Sequence, residues 1–178
     1  MRVRILPGVL NLQKIENLNL LFPEYVYKFM YSALQEAEKA LDQNEVPIGA
    51  VVVHNGRIIG RGFNQVEMLK DTTAHAEMLA ITAAANHLQT KFLTECDLYI
   101  TVEPCMMCSG AILLSRIKNL YFGAFEPKFG TAGSLYNVLE NNKYNHKVNV
   151  YSGVYADESS ILLKEFFSKS RNTKSIPN

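Results

Sequence analysis

Cysteine is scarce, net charge is nearly nil and long apolar runs are missing, and each shortage removes a class of protein from consideration. Three cysteines among 178 residues do not make a disulfide framework. No run of about 18 apolar residues occurs, so no membrane-spanning helix is expected. A formal net charge of +1 announces no broad nucleic-acid surface. Internal repeats and low-complexity segments are lacking too. Near the start, Arg2, Arg4, Ile5 and Leu6 are followed by Pro7, Gly8, Gln13, Lys14 and Glu16, which interrupt any signal-peptide core. A cytoplasmic protein is the expectation.

What is present suits one domain. A chain that is 48% hydrophobic at this length can bury a single core. Residues 1–22 read as an appended N-terminal arm, with disorder and partner contact both open; 23–172 form the domain and 173–178 a tail. Apolar residues at helical spacing (Val26, Phe29, Met30, Ala33, Leu34, Ala37, Leu41) predict a helix from about Tyr25 to Asp42. Residues 48–53 and 58–63 flank Asn55-Gly56, a hairpin signal. The spacing then predicts a helix from near His75 to about His87, a strand over 97–102, a helix from Cys105 to about Ser115 and a strand over 120–123. A short helix around 134–141, a strand over 148–152 and a final amphipathic helix over 157–170 complete the reading. Alternating units of this kind favour parallel pairing, giving an α/β fold: a three-layer α-β-α sandwich on a five-stranded mixed sheet.

The chemistry lies in two short motifs, His75-Ala76-Glu77 and Pro104-Cys105-Met106-Met107-Cys108. Zinc takes thiolate and imidazole ligands tetrahedrally, and a catalytic site keeps its fourth position for water. His75, Cys105 and Cys108 supply three ligands, and one zinc per chain is expected. Zinc brings the pKa of water from about 15.7 towards 7, and Glu77 is free to move protons. H-x-E with P-C-x-x-C is the signature of nucleobase deaminases. Pro104 favours a helix start, and cysteines three apart share a helix face. Thr72 or Thr73 is expected to cap the helix that begins near His75. On an ideal helix His75 and Glu77 would point about 200° apart, so periodicity does not explain their convergence.

Each motif also has an ordinary reading. A lone C-x-x-C can be a redox dithiol or half of a structural zinc site. A four-ligand site needs another Cys or His; Cys96 reads as a small packed residue at the mouth of a strand. His54, His87 and His146 read as structural or solvated. Lys164, Lys169, Arg171 and Lys174 make the C-terminal end basic, which suits phosphates or simply complements a helix end.

Glu45-Val46-Pro47-Ile48-Gly49-Ala50-Val51, Thr73 to Met78, Glu103-Pro104-Cys105 and Gly130-Thr131-Ala132-Gly133-Ser134-Leu135 resemble the bacterial tRNA-specific adenosine deaminases, within the cytidine deaminase superfamily. The resemblance runs from about Tyr25 to Lys169. Thr131 to Leu135 and Asn145-His146-Lys147-Val148 point to the tRNA enzymes in particular. It implies hydrolytic deamination of the wobble adenosine to inosine in the anticodon stem-loop of an arginine tRNA, by a homodimer. Glu77 would take a proton from the water, pass it to N1 of adenine and later protonate the departing amine. Asn64 matches the position that hydrogen-bonds the flipped base, Ile48 and Val102 match pocket-lining positions, and the Ala76 backbone would help hold the attacking oxygen. Without the resemblance Asn64 reads as a turn residue, and Ile48 and Val102 as core.

One segment departs from the family pattern. Where an arginine and an aspartate are common after the fourth strand, this chain has Phe125-Glu126-Pro127-Lys128-Phe129. Glu126 keeps an acidic group, and Phe125 and Phe129 can stack on loop bases or pack under a loop. A deaminase of free guanine, cytosine or a nucleoside is the alternative, and a zinc-bearing RNA-binding module without catalysis is the non-enzymatic one. Glu77 argues against the last.

Overall fold

The computed structural model describes residues 21–173. The arm predicted over 1–22 falls outside them except for Leu21 and Phe22, and the tail over 173–178 except for the backbone of Thr173. The Arg171 side chain and Lys174 fall outside as well. Helix α1 (Glu24–Asp42) leads into β1 (Gly49–His54) and β2 (Arg57–Phe63). Asn55 and Gly56 take φ of 49° and 71°, the two left-handed residues of a tight hairpin turn whose twist matches its strands. His54 then pairs Arg57 across the turn. A four-residue helix that periodicity did not suggest, α2 (Val66–Leu69), precedes α3 (Ala76–Leu88). Strand β3 (Cys96–Val102), α4 (Met106–Leu114), β4 (Asn119–Ala124), β5 (Asn149–Ser152) and α5 (Ala156–Thr173) follow.

The sheet order is β2-β1-β3-β4-β5. The first two pairings, β1 with β2 and β1 with β3, are antiparallel, and β3–β4 and β4–β5 are parallel. This is the mixed five-stranded sheet expected. Both faces of the three central strands are covered, so residues of β1, β3 and β4 alternate between two cores rather than between core and water. Val51, Val53, Tyr99 and Tyr121 meet Val26, Phe29, Met30 and Ala33 of α1. Ala50, Val52, Leu98, Ile100, Leu120 and Phe122 meet Ala76, Ala80, Ile81 and Ala84 of α3 and Ile112 and Leu113 of α4. Each buried large aliphatic contributes roughly 1.5–3 kcal/mol. Among the described residues no helix is long and apolar enough to cross a membrane.

The sheet holds α3 close because β2 presents glycine to it. A Cβ on Gly62 would lie 2.3 Å from the Ala76 carbonyl oxygen, and one on Gly60 2.3 Å from that of Ala80. Two residues apart on a strand, these glycines share one face. The backbone of α3 lies flush on that face, and its first turn is fixed over the end of β2.

The helix predicted around 134–141 is not formed. In its place is an irregular loop pinned by isolated bridges, Cys105 with Gly130 and Ala132 with Asn137. Its N–H groups bond across the loop, Leu135 to Gly130 O at 3.0 Å and Val138 to Thr131 O at 3.0 Å, and Gly133 takes φ of 142°. Hydrogen bonds spent in this way are unavailable for an i to i−4 ladder.

Candidate active site and metal centre

The site lies along one edge of the sheet. Gly49 pairs Phe63, Ala50 pairs Ile100, and Val102 pairs Ala124, so the start of β1 and the ends of β2, β3 and β4 align. That alignment brings Ile48, Asn64, Val102 and Glu126 to the same edge, although 78 residues of sequence separate the first from the last (126 − 48). Val102 is buried and Ile48 half-buried against the core.

His75 is the N-cap of α3, with extended backbone at φ −75° and ψ 152°. It is therefore not a helical residue, and the helical angle between His75 and Glu77 does not apply. Its carbonyl accepts from Leu79 N–H at 3.1 Å. The capping expected of Thr72 or Thr73 does not occur, because no side chain caps α3. Both the N–H and the hydroxyl of Thr73 donate to Asp71 Oδ1, at 2.8 and 2.7 Å. Cys105 is likewise the N-cap of α4. Pro104 thus stands just before the cap rather than in the first turn, and Cys108 lies within it.

Two helix starts facing each other place His75 Nδ1 at 3.7 Å from Cys105 Sγ and 3.6 Å from Cys108 Sγ. All three ligand atoms lie within 4.8 Å of one another. A tetrahedral zinc with bonds of about 2.3 Å to sulfur and 2.0–2.1 Å to nitrogen sets its S and N ligands roughly 3.5 Å apart. The donor set and its spacing fit that ion. A hydrogen bond with Cys108, and then one with His75, draw the Cys105 thiol down to about 4. Cys108 is pushed up by the same bond with Cys105 and by burial, while hydrogen bonding to Cys105 raises His75.

Glu77 is 3% exposed, and its Oε2 is buried with no hydrogen-bond partner. Burial pushes its carboxyl above the usual value. An orphan carboxylate oxygen is costly in a core, so its presence beside three ligand atoms marks a place built for a proton or a donor. The Ala76 N–H, in the first turn of α3, belongs to the set that has no partner within the helix.

Two carboxylates organise the surroundings; both lie in segments that carry the family resemblance, and the sequence reading gave neither a role. Glu103 accepts from Glu126 N–H at 3.0 Å, Ala132 N–H at 2.9 Å and Ser134 N–H at 3.0 Å, and also from the Ser134 hydroxyl. Burial alone would raise its carboxyl, and these bonds, led by the Ser134 hydroxyl, hold it below the usual value. Gly130 packs on it so closely that a Cβ would lie 2.3 Å from Oε2. Thr131 ties the same loop to Pro104 O at 3.2 Å and Ser109 Oγ at 2.8 Å. Glu45, 1% exposed, accepts from Asn64 Nδ2 at 3.1 Å and from Met68 N–H at 2.7 Å. Glutamate is solvated by default, and composition or spacing gives no sign that these two are buried.

The remaining candidates fall in line with local roles. Glu126 Oε1 accepts from Lys128 N–H at 2.9 Å and shapes its own turn. Phe125 and Phe129 are 54% and 69% exposed, and Phe125 also meets Phe122 edge-on. Cys96 is fully buried, as a packed residue should be. His146 Nε2 donates to Ile117 O at 2.7 Å, a structural role.

A family model described as MafB19-like deaminase matches residues 26–171. The chain is 49% identical over 144 residues to the tRNA-specific adenosine deaminase of Aquifex aeolicus (strain VF5), which covers 81% of this chain and 95% of that protein. A solved structure from work on A-to-I editing by tRNA:A34 deaminases at the wobble position of transfer RNA superposes with a TM-score of 0.74. It is 44% identical and covers 76% of this chain and 99% of its own. The guanine deaminase of Nitrosomonas europaea, 23% identical with a TM-score of 0.71, covers 94% of this chain and 96% of its own and shares the fold.

Proposed function

The chain belongs to the MafB19-like deaminases and, within them, to the tRNA-specific adenosine deaminases; we propose on that premise that it edits the wobble adenosine of an arginine tRNA. It is a hydrolytic tRNA adenosine deaminase acting from adenosine to inosine. The observation that carries the mechanism is the buried, unpartnered Glu77 oxygen beside the His75, Cys105 and Cys108 ligand atoms.

His75, Cys105 and Cys108 would hold zinc, which supplies Lewis acidity that brings the pKa of water towards about 7. Glu77 Oε2 accepts the proton of the attacking water and delivers it to N1 of the adenine ring. It next takes the proton of the hydroxyl newly added at C6 and passes it to the amine, which leaves as ammonia while the C6 carbonyl forms. The Ala76 N–H would donate to the oxygen that adds there. Asn64 hydrogen-bonds the flipped base, with Ile48 and Val102 as walls and Glu126 at the rim.

Single-stranded RNA loops already present unstacked bases, so extracting one costs little. The exposed aromatic rings of Phe125, Phe129 and Tyr136, with Lys128 between the two phenylalanines, support such a partner on the loop folded beside Cys105. An apolar stripe on α4, Met106 at 52% and Leu114 at 80% exposed, supports a homodimer. The test is inosine formation in an arginine anticodon stem-loop beside ammonia release from free cytosine, guanine and their nucleosides. Turnover of RNA alone is expected; ammonia from a free base with untouched RNA would overturn the substrate.

A further inference from the structure

Glu45 has both carboxylate oxygens committed inside the protein, Oε1 to Met68 N–H at 2.7 Å and Oε2 to Asn64 Nδ2 at 3.1 Å. A carboxylate only accepts hydrogen bonds, whereas an amide side chain has a donating end and an accepting end. Turned the other way, Asn64 would press its Oδ1 against Oε2 with no proton between them. Both residues are buried, at 1% and 5% exposure, so water does not soften that repulsion. The Asn64 backbone is held too, its N–H donating to Ile48 O at 3.0 Å. One end of the amide is therefore fixed on Glu45, leaving the second Nδ2 hydrogen and Oδ1 for a ligand.

We infer that Glu45 is a positioning residue that sets the polarity of the Asn64 amide, and so fixes where the site offers the base a donor and where an acceptor. The inference rests on the reading that Asn64 meets the flipped adenine. Adenine presents an acceptor, N7, beside a donor, the N6 amino group, and an asparagine amide can satisfy such an edge only in one polarity. Met68 N–H makes the arrangement directional, because it requires an acceptor at the far oxygen of residue 45.

Glu45→Gln tests this. Its amide oxygen stays on Met68 N–H, so its Nε2 faces Asn64, and Asn64 turns over to present Oδ1. Donor and acceptor then exchange places towards the base. For the anticodon stem-loop, KM should rise roughly 10- to 100-fold with zinc content unchanged. In an Asn64→Ala background the same substitution should add little, since its effect runs through the amide. Losses that multiply in the double variant would overturn the assignment and leave Glu45 as an anchor for α2. A second readout needs no turnover: the Asn64 Nδ2 NMR signal should show scalar coupling across the hydrogen bond to the Glu45 carboxyl carbon, absent in Glu45→Gln. No coupling in the wild-type protein overturns the inference. Wild-type protein that makes no inosine overturns the functional reading instead, and the NMR result then decides this one.

Discussion

Glu77 and the three candidate ligand residues separate two functions that the paired motifs supply together. Glu77→Ala removes the proposed proton carrier and leaves His75, Cys105 and Cys108 in place. Turnover of the stem-loop should fall by at least the roughly 10²–10⁴-fold that general acid–base catalysis contributes, while metal analysis still finds one zinc per chain. Near-normal rates in the metal-replete variant would remove Glu77 from the mechanism. Cys105→Ala takes away the sulfur whose thiol is drawn down to about 4, and the purified protein should lack stoichiometric zinc. These four residues were legible because their chemistry allows few alternatives to their spacing. Glu45 and Glu103 were not, since a carboxylate is read as solvated unless its donors are known. Those donors are mostly backbone N–H groups of distant segments, which any residue type could provide.

Elements deliver those side chains through contacts that tolerate little change. A Cβ on Gly62 would meet the Ala76 carbonyl oxygen, at the turn of α3 that carries Glu77 and follows His75. Gly62→Ala should cost about 1–3 kcal/mol of stability in denaturant unfolding and weaken zinc retention. The same variant with unchanged zinc affinity would show that α3 reseats freely. On α1, burial first and the neighbouring Asp42 charge second push Glu38 up to about 7. A carboxyl with a raised folded pKa binds a proton that the unfolded chain releases, so its contribution is present at acid pH and is lost as pH rises towards 7. Melting temperature of Glu38→Gln should therefore fall less than wild type between about pH 5 and 8. Periodicity recovered the long elements and the hairpin. It failed over 134–141 because Glu103 and cross-loop carbonyls claim the N–H groups there, and it gave no sign of α2, whose four residues are too few to show a period.

At the scale of the whole molecule, the apolar outer stripe of α4 begins at Met106, the residue after Cys105, so a second copy seated there would adjoin both sites. Leu114→Glu places a charge on that stripe, and light scattering should show a dimer giving way to monomer, with RNA turnover reduced. A variant of unchanged mass would assign the stripe another role. What the sequence determined by itself was the chemistry and the layer architecture. A His-Cys-Cys ligand set with a nearby glutamate admits few reactions, and the period of apolar residues states which elements form. Tertiary structure alone decided how the chemistry is aimed. The sheet register brings Ile48, Asn64, Val102 and Glu126 to one edge, and two helix starts face each other so that His75 meets both sulfurs. Buried carboxylates then lock the loop and the amide around them. Such contacts join residues far apart in the chain, and local spacing carries no information about partners that only folding brings within hydrogen-bond reach.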